Sequence, residues 1–133
     1  MKFAVEPGPF HRIVELVGES FAHRKGSDVV LCLAACDQWV WVKSGNTIAE
    51  TEAMVWESGQ CHVARASLLN ALKKHQDEVH LRIEADKRCL RVREISLSVS
   101  GYCRWAVLPT SFQIFLASNL GVVHWREAQF ANA

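Results

Sequence analysis

Chemistry that needs a nucleophile or a metal would have to come from five cysteines, Cys32, Cys36, Cys61, Cys89 and Cys103, and six histidines. Among them only Cys61 and His62 are adjacent. Neighbours on an extended segment point to opposite faces, so this pair does not read as a nucleophile beside its base. Cys32 and Cys36 stand four apart in an apolar run, a spacing that makes no chelating loop. There is no glycine-rich phosphate loop, no Gly-x-Ser-x-Gly elbow and no His-Glu-x-x-His helix. The expectation is a protein that is not an enzyme, with no catalytic residue, no metal and no cofactor. An odd number of cysteines without short paired spacing fits a reducing compartment, where they pack as small apolar side chains.

Charged and aromatic groups offer a different chemistry. Arg82, Lys87, Arg88, Arg91 and Arg93 gather around one predicted hairpin, interleaved with Glu84, Asp86 and Glu94. The cluster is either a site for an acidic partner or nucleic acid, or a solvated hairpin whose charges balance, and the interleaved acids favour the second. Trp39 and Trp41 alternate with Val40 and Val42, so their strand shows apolar groups on both faces. That strand either lies between a helix and the tail or offers its aromatics to an interface.

The elements that carry these groups follow from composition and periodicity. The chain has 133 residues, of which half are apolar and 22% charged, with seven glycines and three prolines. This excludes a disordered tail, a collagen-like repeat and a low-complexity linker, and suits one domain with a core. Fifteen basic residues against fourteen acidic ones leave a formal charge of +1, unlike a dedicated nucleic-acid binder. Any such role rests on local charge placement. No apolar run approaches the roughly 18 residues of a membrane span, and MKFAVEPGPF lacks the apolar core and cleavage site of a signal peptide. A cytoplasmic protein away from membranes is expected.

Met1 to Val5 reads as an opening strand, stopped by Pro7 and Pro9. Phe10, Ile13, Val14, Leu16, Val17 and Phe21 share one face of a helix expected to end near Gly26, opposite Arg12, Glu15, Glu19 and His23. Val29–Ala35, Trp39–Lys43 and Thr47–Trp56 follow as three strands, and Cys61–Val63 as a brief extended piece. In a second helix, Leu68, Leu69, Leu72 and Gln76 face one way and Ser67, Asn70, Lys73 and Lys74 the other. Glu78–Glu84 then switches to period two, with Val79, Leu81 and Ile83 on one side. Cys89–Val92, Ile95–Ser100 and Tyr102–Leu108 complete an α+β chain, two helices on mostly antiparallel meanders.

That order resembles one domain of the bacterial DNA sliding clamp, the beta subunit of DNA polymerase III. MKFAVEPGPFHRIVELV is similar to the first strand and helix of such a domain. CHVARASLLNALKKHQDEVHLRIEADKRCLRVREISLSVSGY resembles the clamp pattern of a strand entering a helix with a Leu-Leu-x-x-Leu-Lys core, then an acidic pair, two short charged strands and a serine-alternating strand. WAVLP resembles the strand that closes a clamp domain. The resemblance covers residues 1–109 and implies a DNA-clamp-like fold. Residues 110–133 form an apolar extension expected to pack on the domain or on a neighbouring subunit. Within it Ser111–Leu116 resembles the glutamine-plus-hydrophobic peptides that dock on clamps.

In that family six such domains close a ring whose helices line the hole, with sheets joined edge to edge outside. One domain per chain leaves three outcomes: a homohexameric ring, a smaller oligomer, or no ring. The resemblance implies contact with double-stranded DNA through Arg12, His23 and Arg24 of the first helix and Lys73 and Lys74 of the second. Scattered cations suffice for unspecific attraction to phosphate. It also implies self-association, with Trp39, Trp41, Phe112 and Phe115 as interface candidates, and replication or repair proteins as partners. Glu15 and Glu19 oppose the DNA reading, and Arg12 with Glu15 at i,i+3 equally suits a surface ion pair. An oligomeric scaffold without DNA binding therefore stays open beside the clamp reading.

Overall fold

The computed structural model describes residues 1–19, 29–45 and 47–104, together with the backbone of Ser111–Ala117 and Val123–Gln129. Strand β1 (Lys2–Val5) leads into helix α1 (Pro7–Leu16). Prolines suit the first turn of a helix, where the missing N–H has no partner to lose. Phe10, Ile13 and Val14 are buried along one face of α1, and Phe10 meets Phe3 edge to face with centroids 6.0 Å apart.

This helix ends at Leu16, well short of Gly26. Val17 is extended at the C-terminal cap, and Gly18 follows at φ +83°. A Cβ there would lie 2.8 Å from Val29 Cγ1, so the close approach of the following strand needs glycine. Periodicity extended the helix because Phe21 continued the apolar face. His23 and Arg24 lie outside the described residues.

Three hairpin strands come next: β2 (Val30–Cys36), β3 (Trp39–Ser44) and β4 (Thr47–Glu52). The expected single strand Thr47–Trp56 is in fact two. After β4 the chain turns at Ala53, whose N–H bonds the Gln38 carbonyl at 2.8 Å, and continues as β5 (Met54–Glu57). Strand β6 (Gly59–Ala64) feeds directly into α2 (Arg65–Lys73), which buries Leu68, Ala71 and Leu72. Gln76, expected on that face, is exposed and lies beyond the helix.

The sheet is completed by β7 (Leu81–Ala85), β8 (Cys89–Val92), β9 (Ile95–Cys103), β10 (Ser111–Ala117) and β11 (Val123–Gln129). Leu81 and Ile83 are buried as expected, whereas Val79 precedes the strand and is 79% exposed. Strand β9 runs through Gly101, a break in the sequence reading, because that residue adopts φ +59° where its pairing with β6 shifts register. Such an irregularity favours a residue without a side chain. Ser96, Ser98 and Ser100 are exposed, opposite the half-buried Ile95, Leu97 and Val99.

The strand order is β11-β10-β4-β3-β2-β6-β9-β8-β7-β1-β5. From β4 to β5 every pairing is antiparallel, whereas β10 joins β4 in parallel, with Phe115 opposite Ala49. The two helices pack on each other against this sheet. One core joins Phe3, Phe10, Leu33, Val42, Leu72 and Ile83. Burial of each such side chain contributes about 1.5–3 kcal/mol. The Met1 amine is drawn into the same body, donating to the Ala85 carbonyl at 3.1 Å and Tyr102 Oη at 2.9 Å. Desolvation holds that amine below its ordinary value.

Candidate functional site

The outer surface of the two helices is where a polyanion would meet this domain. Arg12 is exposed on α1, Lys73 is the last residue of α2, and Lys74 caps it. Cations at a helix C-terminus complement the negative end of its dipole. None of the three cations has an ion-pair partner among the described residues. Glu15 does not pair with Arg12. It meets His11 Nδ1 at 2.6 Å across i,i+4. The i,i+3 pairing therefore gives way to the neighbour one residue earlier, and Arg12 has no ion-pair partner among the described residues.

Arg65, absent from the sequence reading, fixes the relation of the helices. From the start of α2 its guanidinium donates to the carbonyls of Val14, at 3.2 Å, and Glu15, in the last turn of α1. Those carbonyls have no partner inside their own helix, so an arginine fork across the helix pair satisfies them. A lone basic residue opening a helix was the signal in the sequence, but its target depends on tertiary packing.

The basic hairpin is partly balanced. Arg82 pairs with Glu84 at 3.0 Å and Arg93 with Glu78 at 3.0 Å. Asp86 accepts the backbone N–H groups of Cys89 at 3.0 Å and Arg88 at 2.8 Å, and these bonds hold its carboxyl below the usual range. Lys87, Arg88 and Arg91 are exposed.

Of the interface candidates, Trp39 is half-buried, whereas Trp41 is buried in its own domain and donates its indole N–H to buried Glu50 at 2.6 Å. Phe112 and Phe115 lie on the backbone of β10, opposite Ala128 and Trp125 of β11, and their side chains are outside the described residues.

The cysteines are unbridged thiols. Burial, with Cys32 nearby, pushes Cys61 up to about 12, and burial also raises Cys32 and Cys36. Thiols held in the neutral form are poor nucleophiles. Among the described residues no group of three or more His, Cys, Asp or Glu side chains is placed to hold a metal ion. No described helix is long and apolar enough to cross a membrane.

A cavity of about 600 Å³ opens beside β5, lined by Val5, Glu6, Glu52, Met54, Trp56 and His80 among others. Met54 and Trp56 are largely exposed there, and the Arg82 guanidinium lies 5.0 Å from the Trp56 ring centroid. This site is not visible in the sequence, where Thr47–Trp56 reads as one strand. The loss of clean alternation before Trp56 was the available sign.

No protein-family model matches the chain, and no curated protein matches it in sequence. Solved structures do. The DNA polymerase III beta protein of Caulobacter crescentus superposes with a TM-score of 0.64 at 16% identity, over 83% of this chain and 33% of its own. The Helicobacter pylori beta clamp, solved with 5-chloroisatin, gives 0.65 at 11% identity, over 83% and 33%. The DNA polymerase III subunit beta of Pseudomonas aeruginosa gives 0.59 at 15% identity, over 88% and 36%. The chain thus spans about a third of the length of each of these proteins. Two helices against an antiparallel sheet, with this strand order and these superpositions, are the fold of a single bacterial sliding-clamp domain.

Proposed function

We propose that the chain is a non-enzymatic, clamp-like protein that self-associates and touches double-stranded DNA through its helices. The observation that carries this reading is the charge state of the helix surface. Arg12, Lys73 and Lys74 are exposed and outside any ion pair among the described residues, while Glu15 is engaged by His11. Cations free of local partners attract phosphate without reading bases, which suits a protein that slides. Trp39, Phe112 and Phe115 are the residues proposed for contacts between copies, and proteins of replication or repair are the proposed partners. The cytoplasm is the proposed setting.

The test is anisotropy of a labelled duplex at low salt, with the assembly's mass followed by light scattering. The double charge reversal Lys73→Glu with Lys74→Glu weakens binding and lowers the salt slope by about 2, one per lost phosphate contact. Unchanged binding in a folded variant overturns the DNA contact. A hexamer makes a six-domain ring the working arrangement, and a monomer rules out a ring made by this chain alone. The second reading, an oligomeric scaffold without DNA, is favoured by the net charge of +1 and by exposed Glu19 on the chain leaving α1. Absence of duplex binding by an assembled wild-type protein would select it.

A further inference from the structure

The cavity beside β5 lies off the helix surface and has no part in the proposed DNA contact. Three observations describe what it would accept. Strand β5 pairs with β1 on one side only, so its other edge has no strand partner among the described residues. Met54 and Trp56, two apart on that strand and therefore on one face, are 63% and 52% exposed. The carboxylates of Glu6 and Glu52 line the cavity, with no ion-pair partner among the described residues, and the lining includes no lysine or arginine.

From these we infer that the β5 edge and its cavity bind an extended peptide segment of a partner protein, bearing a lysine or arginine flanked by apolar residues. Backbone groups of the partner pair with the open edge, as when a peptide adds a strand to a sheet. Its apolar side chains cover Met54 and Trp56, and its cation enters between Glu6 and Glu52. Charge complementarity selects this occupant, because unpaired carboxylates at the rim of an apolar surface repel an acidic segment and leave a neutral one without a partner for them. The four residues of β5 limit the paired stretch to a short segment.

Panning a phage-displayed library of random heptapeptides on the immobilised full chain tests this. Enriched sequences should carry a basic residue between apolar ones. A synthetic copy should lose about tenfold in affinity, some 1.4 kcal/mol, against the Glu6→Gln, Glu52→Gln double variant. Its binding should vanish against Trp56→Ala, with Met54→Ala as the substitute if that variant fails to melt cooperatively. No enrichment over blank beads, or binding unchanged by these substitutions, overturns the proposal. So does a dimer in light scattering that Trp56→Ala converts to monomer, because a second copy then holds the edge.

Discussion

Cys61 has no exposed surface on β6, and burial pushes its thiol up to about 12 from an ordinary 9.0. In mildly alkaline solution iodoacetamide should therefore label Cys61 last among the cysteines of the folded chain, with mass spectrometry of timed digests as the readout. Comparable labelling of Cys61 and the more accessible Cys89 would contradict the burial. The same shift carries a sign for stability. Between 9.0 and about 12 the folded chain keeps a proton that the unfolded chain has released. The contribution is intact below pH 9.0 and is lost as pH rises through that window. Sequence spacing correctly set Cys61 and His62 on different faces, since residues 61 and 63 are buried and 62 is not. Nothing in the residue types announced the Trp41–Glu50 hydrogen bond. A glutamate in a strand reads as a surface group until the register places Glu50 opposite Trp41.

The helix pair depends on Arg65. Arg65→Ala leaves the last carbonyls of α1 without their donor and should lower stability by about 2 kcal/mol in urea unfolding. Arg65→Lys should restore less than half of that, because a single ammonium lacks the planar fork that reaches two carbonyls. Full rescue by lysine would show that charge alone matters. Elements built on strict alternation were legible: Leu81 and Ile83 against Arg82, Leu90 and Val92 against Arg91, and the serine row of β9 all fall where period two places them. What escaped were the ends and breaks. Helix α1 stops where Gly18 meets Val29, and the run from Thr47 splits at Ala53 for a hydrogen bond to Gln38. Both depend on residues distant in sequence, which no local window contains. The candidate site was half legible for the same reason. Arg12, Lys73 and Lys74 follow from helical spacing, whereas Arg65 and the Trp56 cavity exist only once strands and helices have met.

At the scale of the whole molecule the antiparallel run of the sheet, from β4 to β5, is a strip whose two ends are consecutive in the chain. Strands β4 and β5 are separated by Ala53 alone, yet the other seven strands of the antiparallel run lie between them in the order. Half of the pairings in the strip join distant segments: β1 with β5 and β7, and β6 with β2 and β9. A chain ended after His80 retains α1 and α2 but removes β7 to β11, and should show no cooperative unfolding by circular dichroism. A cooperative transition in that fragment would mean that the first six strands close a core without the rest. Synthesis on the ribosome meets the same constraint. Phe3 and Val5 of β1 emerge early, while their neighbours Met54–Glu57 and Leu81–Ala85 are still to be made. Until both neighbours have been made this apolar strand lacks a partner on at least one edge, so a chain interrupted between residues 5 and 81 leaves Phe3 and Val5 open to aggregation.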